Sequence, residues 1–411
     1  MALLKVSNVG PIKNTDSING EFIRFEGLTV FIGDQGTGKS TLAKLFSTLS
    51  WIEKALFRED FTPKYISQYK RFQKQLEFQN IDQYLKPNSY IEYVGDAFTI
   101  KYDNGKVKIK PIDNKKAKPY DFPKIMYVPA ERNFVSTIDR PDLIKRLPMT
   151  IFSFLEEYEY AKRTLKGTIQ LPIHGVTFEY RKQNKKSWII GEDYSGEPYK
   201  LDLLAASSGF QSLVPMYLVT ESLSKIISEK GNTAKDDLTY DRAKKFNEEL
   251  ERILANSKLD EDAKQILIER KLRTINYTSF VNIVEEPEQN LFPTSQKKIL
   301  YALFRNTNKN INNKLILTTH SPYIINYLTL AIKAFSLKEN LSDDQLNQLN
   351  NIVPLDAALN PNKVAVYQIN NEGLVEELES YKGLPSDENY LNELLGDFND
   401  DFVELLKLEE L

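Results

Sequence analysis

Eight consecutive residues, Gly33-Asp34-Gln35-Gly36-Thr37-Gly38-Lys39-Ser40, fit the pattern G-x-x-x-x-G-K-[ST], and nothing else in the chain leaves it so few folds to choose from. The apolar run Leu28-Thr29-Val30-Phe31-Ile32 predicts a buried strand feeding the loop, and Ser40 to Phe46 predicts the helix leaving it. A polyphosphate has to be held by many backbone N–H groups at close range. Glycines at 33, 36 and 38 keep side chains out of that approach, with Asp34, Gln35 and Thr37 completing the loop. Lys39 would place a point charge on the β- and γ-phosphates, and Ser40 would offer its hydroxyl to Mg²⁺. Thr41 follows in a first helical turn with unpaired N–H groups and a positive dipole end. The bland alternative is a glycine-rich turn that happens to end in Lys-Ser; the strand before it and the helix after it argue for a site binding a nucleoside triphosphate with Mg²⁺.

Such a loop needs acids from a neighbouring strand. Ser279-Phe280-Val281-Asn282-Ile283-Val284 is a strand-like run ending in Glu285-Glu286-Pro287-Glu288. Glu285 stands where a Mg²⁺-binding acid belongs, and Glu286 where a carboxylate can orient the attacking water. Three acids in four residues can also be a solvated strand end. A third element speaks against that: Lys314 to Thr319 is another strand, ending in His320-Ser321-Pro322 before a helix. His320 is one of only two histidines, placed where a ring N–H would meet a γ-phosphate. His174, in Leu171-Pro172-Ile173-His174-Gly175, has no acidic or nucleophilic pattern around it and is expected to be structural.

The order of phosphate loop, Glu-Glu-Pro-Glu and Thr-Thr-His-Ser-Pro resembles the ABC-type ATPase heads of the SMC, RecF and OLD kind, especially the OLD-like group of bacterial AAA-family ATPases. Gln289-Asn290-Leu291-Phe292-Pro293 followed by Gln296, and an opening with Leu3 to Ile12 and Phe22 to Phe25 as hairpin strands, also match that group. The resemblance implies an α/β, ABC-type P-loop NTPase head with N-terminal β-hairpins and helical insertions. It covers about 1–50 and 200–330, and the middle carries no nameable motif. It also implies an ABC signature, for which Ala205-Ala206-Ser207-Ser208-Gly209-Phe210-Gln211-Ser212 is the candidate. Ser207, Ser208 and Gly209 would then reach the γ-phosphate of a second copy, making a homodimer through the ATP sites. Ser208 departs from the usual L-S-G-G-Q, and a serine-capped helix is the simpler reading. The Gln that links Mg²⁺ to the substrate side in ABC transporters has no clear counterpart. Lys124 to Asn133 looks like the Y-[IV]-P-A-x-R stretch of OLD-like heads, with Arg132 either at nucleotide or dimer partner, or paired with Glu131 on the surface.

The absence of cysteine removes disulfides, thiolate zinc sites and a cysteine nucleophile together. With no apolar run of membrane-spanning length and no signal-peptide layout, the chain is expected in the cytoplasm, without membrane contact. Hydrophobic residues at 41% and charged residues at 27% are ordinary for a globular protein, so a formal charge of −3 matters only through its distribution. Lys101, Lys106, Lys108, Lys110, Lys115, Lys116 and Lys118 cluster on and after a hairpin turning at Asp103-Asn104-Gly105. That face either tracks a nucleic-acid backbone or protects a strand edge. From Glu372 to Glu410 acids alternate with Leu and Phe at helical spacing, as in an acidic cap or a docking surface for a protein effector.

The expected organisation is a discontinuous head over 1–50 and 121–340, a helical excursion with the basic hairpin over 51–120, a helical insertion over 219–277, and an acidic strand and helical cap over 341–411. By resemblance, the leading function is a Mg²⁺-dependent ATPase whose ATP-driven dimerisation regulates a partner, as in bacterial anti-phage defence or a DNA-associated process. A single-chain nuclease of the OLD type would need strand-borne acids, and the D-x-D pattern Asp260-Glu261-Asp262 looks like a helix start. A transporter's nucleotide-binding subunit fits poorly with the altered signature and the large insertions.

Overall fold

A computed structural model describes the chain except residues 19, 69, 113–119, 140–143, 145, 174, 229–247, 249, 257–259, 263, 266, 269–276 and 410–411. Every residue of β4 (Leu28–Gly33) and of β13 (Ser279–Glu285) is buried. Strands covered on both faces by other layers are apolar without alternation, and these two obey that rule. They belong to a six-stranded sheet ordered β16-β15-β4-β14-β13-β8, made with β8 (Pro123–Val128), β14 (Lys314–Thr319), β15 (Val364–Ile369) and β16 (Val375–Glu377). All neighbours run parallel except β16.

The sheet divides two cores. Leu28, Val30 and Ile32 face one with α2 (Met149–Thr164), α3 (Ser208–Ser228), α4 (Pro293–Asn308) and α5 (Pro322–Leu337). Phe31, Ile283 and Ile316 face the other with α1 (Lys39–Phe57). This split follows from the period of two along each strand.

Above α1 lies an antiparallel sheet of β1 (Ala2–Val9), β2 (Ile12–Asn14), β3 (Ile23–Phe25), β5 (Leu85–Val94), β6 (Phe98–Asp103) and β7 (Lys106–Pro111). The range 51–120, expected as an excursion, therefore does not stand apart: β5 pairs with β1 from Leu3↔Val94 to Val9↔Leu85, and α1 runs seven residues past the drawn boundary, to Phe57. Asn104 and Gly105, with φ of 47° and 76°, form the two-residue turn that the Asp-Asn-Gly spacing predicts. β7 is an edge strand, and Lys106, Lys108 and Lys110 on it are exposed, where lysine discourages pairing with another chain. Lys115, Lys116 and Lys118 lie outside the described residues.

A four-stranded sheet, β9 (Thr168–Gln170), β10 (Thr177–Arg181), β11 (Lys186–Glu192) and β12 (Pro198–Asp202), packs through Phe178 and Ile189 onto the first core. The helical insertion drawn at 219 begins inside α3, most of its middle lies outside the described residues, and Asp260-Glu261-Asp262 opens a helical turn. His174 also lies outside the described residues. The C-terminal range 341–411 is more than a cap, because β15 sits directly beside β4 before α6 (Tyr390–Glu409) begins.

Candidate functional site

The register brings the motif ends level: Ile369 opposes Gly33, Thr319 opposes Ile32, and Glu285 opposes Thr318. The phosphate loop thus stands at the C-terminal edge of the sheet, one strand from the Glu-Glu-Pro-Glu turn. Ligands of open parallel sheets bind at this edge.

Two loop glycines are demanded by protein neighbours. At Gly33 (φ 146°) a Cβ would stand 2.4 Å from the Ile369 carbonyl oxygen, and at Gly38 (φ 113°) 2.5 Å from Ile12. The exposed tip, Asp34, Gln35 and Gly36, is anchored by Thr37 Oγ1, which donates to the Asp34 carbonyl at 2.9 Å. Lys39, 4% exposed, donates from Nζ to the carbonyls of Gly33 (2.9 Å) and Asp34 (2.7 Å). Burial pulls its ammonium down to about 8, against the pull of Glu286, Asp34 and Glu288. Ser40 and Thr41 follow in the first turn of α1.

Glu285 is buried at the end of β13. One carboxylate oxygen accepts from the Ala130 amide at 3.3 Å, and Oε1 is sealed from solvent with no hydrogen-bond partner. Glu286 turns out of the strand with φ 44°, a conformation costly for a residue with a Cβ, held by its own amide donating to the Thr318 carbonyl at 2.9 Å. Its Oε1 lies 3.5 Å from His320 Nε2, both side chains 35% exposed. His320 first, then Arg132 and Lys39, hold the Glu286 carboxyl below the usual carboxylate value against the opposing effect of burial.

Two side chains fix this pair, and sequence reasoning gave neither that role. Arg132 is fully buried and donates to the backbone carbonyls of Glu285 (2.7 Å) and Glu286 (2.6 Å). It is buried on these carbonyls and does not pair with Glu131 on the surface. Burial lowers its pKa to about 10, which leaves it charged at neutral pH. Glu288, the third acid, accepts from Thr319 Oγ1 (2.7 Å) and from the His320 amide (2.8 Å), so it pins the histidine segment; burial raises its carboxyl. The signal for Arg132 was an arginine just past a buried strand, in Tyr127-Val128-Pro129-Ala130-Glu131-Arg132. Gln296 adds a further tie by accepting from Ser321 Oγ at 2.8 Å.

Ser207, Ser208 and Gly209 are not brought to the phosphate loop. They open α3 beside the turn after β13, where a Cβ on Gly209 would stand 2.9 Å from the Asn290 carbonyl oxygen, and both serines are exposed. Among the described residues no group of three or more His, Asp or Glu side chains is arranged to hold a metal ion, and no helix is long and apolar enough to cross a membrane. Asp260 and Asp262 at a helix start do not supply the strand-borne pair that a nuclease centre would need.

No family model and no curated protein matches the chain. Among solved structures it is similar to an SMC head domain from Thermotoga maritima, at 12% identity over 93% of this chain and 100% of that one, with a TM-score of 0.36. It is also similar to the Smc head of Pyrococcus furiosus bound to the C-terminal domain of ScpA, at 9% identity over 92% and 96%, TM-score 0.35. A bacterial ABC transporter cassette solved as a dimer matches at 10% identity over 92% and 100%, TM-score 0.29. Likeness this remote says nothing of this chain's activity, which has to be argued from its own residues.

Those residues fit a Mg²⁺-triphosphate. The bare Glu285 Oε1 and the Ser40 hydroxyl suit Mg²⁺, which takes one or two protein ligands and completes its shell with water and phosphate. When bound, the ion would neutralise charge on the phosphates. Lys39 and the first-turn amides of α1 would bind the phosphates, Glu286 would orient a water by accepting a hydrogen bond from it, and His320 would keep that carboxylate oriented.

Proposed function

We propose that this chain is an ABC-type ATPase that binds ATP with Mg²⁺, hydrolyses it, and uses ATP-dependent pairing of two copies to regulate a separate partner. The observation that carries the hydrolytic part is Glu286: its carboxylate stands beside His320, ionised by its neighbours and held in a strained backbone conformation that Arg132 and Thr318 maintain. A strand-end carboxylate with no chemistry to do would have no use for that support.

Pairing is supported by the placement of Ser207, Ser208 and Gly209. The start of a 21-residue helix presents exposed hydroxyls and first-turn amides away from its own phosphate loop, so a second copy's nucleotide is the anion they suit. The partner-facing element is α6, where Phe402, Leu405 and Leu406 are exposed among acids. Its first residue stands near the loop, with Tyr390 Oη 3.4 Å from Asp34 Oδ2.

Glu286→Gln should retain ATP affinity and lose turnover by about 10²–10⁴-fold. With ATP, but not ADP, light scattering should find that variant at twice the monomer mass, and adding Ser207→Arg should return it to monomer. Wild-type turnover in Glu286→Gln would remove the assigned base, and a dimer indifferent to nucleotide would remove the switch.

A further inference from the structure

α3 carries a proline in its interior, Pro215. Proline has no amide to give to the carbonyl four residues back, and its ring pushes that carbonyl aside, so helix interiors ordinarily exclude it. The carbonyl released here is that of Gln211, in the first turn of α3, directly after Ser207, Ser208 and Gly209. The hydroxyl of Ser136, 4% exposed, takes it as a hydrogen-bond acceptor and also lies 2.9 Å from the Asn133 carbonyl. Asn133 follows Arg132 in the chain, so a carbonyl that the helix cannot use ties the start of α3 to the segment bearing the arginine clamp.

A second tie leaves α3 from the next residue. Ser212 is fully buried, and its hydroxyl donates to Gln289 Oε1 at 3.4 Å, a long bond that a small movement would tighten or break. The Gln289 amide in turn donates to the Glu286 carbonyl at 3.0 Å. That same carbonyl accepts from Arg132 at 2.6 Å. Both donors on the Glu286 carbonyl are therefore connected to the start of α3, Arg132 through Ser136 and Gln289 through Ser212. Between the two ties Gly209 packs so closely on the Asn290 carbonyl that a Cβ would not fit, which leaves the turn little room to move independently of the helix.

We propose that α3 sets Glu286. Resting on the reading that Ser207, Ser208 and Gly209 meet the nucleotide of a second copy, an anion held there draws the first turn of α3 tight, and Ser136 and Ser212 pass the change to the Glu286 carbonyl. Hydrolysis then waits for pairing. Ser136, Ser212, Pro215 and Gln289 are positioning residues that act through the backbone of Glu286.

Turnover per molecule of the wild-type chain, measured against protein concentration, should rise about tenfold or more as pairs form. With Ser136→Ala and Ser212→Ala combined, that rise should disappear: kcat at high concentration falls about tenfold while KM for ATP stays within about twofold. Added to Glu286→Gln, the same two substitutions should leave the ATP-dependent pair intact by light scattering. Pro215→Ala returns an amide to the Gln211 carbonyl in competition with Ser136. It should lower kcat about threefold while the urea midpoint holds or increases, a combination that damage to the fold would not produce. Thr220→Val cuts the 3.2 Å bond from Asn282 to Thr220, which joins the same helix and strand farther from Glu286, and should leave the rise in place. Should the double serine variant fail to fold by circular dichroism, Pro215→Ala decides. The proposal is overturned if either of those variants keeps the wild-type rise, or if Thr220→Val removes it equally. A wild-type chain that pairs with ATP but hydrolyses equally well when dilute overturns this coupling alone, and one that never pairs overturns the switch as well.

Discussion

Glu53 and Glu285 are glutamates of nearly equal burial, 4% and 5% exposed, on opposite sides of the same α1 layer, and they are finished very differently. Glu53 takes hydrogen bonds on both oxygens: Oε1 from the amides of Ala97 (2.7 Å) and Phe98 (3.1 Å), Oε2 from the Tyr93 hydroxyl (2.8 Å). It rivets α1 to the β5-β6 turn. Glu285 has one long bond, on one oxygen, and leaves the other bare. A buried carboxylate left short of donors is costly unless something outside the chain completes it. Glu53 is completed within the chain, whereas Glu285 keeps an oxygen that a bound cation would complete.

Exchanging each for glutamine would break the comparison if it is wrong. Glu285→Gln should slow Mg²⁺-dependent ATP turnover by about 10²–10³-fold, the scale for losing one charge-stabilising group, while shifting the denaturant midpoint little. A normal rate with lost stability would make Glu285 a second Glu53. Next in size, Arg132→Lys keeps the charge but loses the fork across two carbonyls, and turnover should fall by about tenfold or more at unchanged ATP affinity, because Glu286 is no longer held.

Glu53→Gln should cost about 1–3 kcal/mol of stability, the price of leaving buried amide and hydroxyl donors poorly matched, with turnover per folded molecule unchanged. The smallest effect is in pH. Burial raises the Glu53 carboxyl above its usual 4.5, so between 4.5 and the raised value the folded chain binds more protons than the unfolded one. Stability contributed by Glu53 is therefore full below that window and lost as pH rises through it. Urea midpoints measured across the window should lose this slope in Glu53→Gln, and an unchanged slope would assign the titration elsewhere.

The phosphate loop, β13 with its acids and the strand ending at His320 were legible because each is a short contiguous run whose pattern needs no distant partner. Arg132 was legible as a residue but not as a clamp. Its partners are the carbonyls of Glu285 and Glu286, which become neighbours only when β8 pairs with β13. Glu288 was one acid of three until its two bonds to Thr319 and His320 assigned it to positioning the histidine. The serines at 207 and 208 were legible as a helix start and, through the resemblance, as donors to a second copy rather than to their own phosphate loop; their packing beside the turn after β13 was not.

By itself the sequence determined the local conformations. Gly33 and Gly38 take backbone angles closed to most residues, Asn104-Gly105 turns a hairpin, and two mostly apolar runs without period-two alternation suit strands covered on both faces. Tertiary structure alone decided which strands lie together. β15 follows β4 by more than three hundred residues and sits in what had every sign of a C-terminal appendage, yet its Ile369 carbonyl lies against Gly33 and helps shape the loop. Hydrogen bonds between strands run between backbones, which are alike in every residue, so pairing over that separation is chosen by the fit of side chains across two cores and leaves no signature in the segment itself.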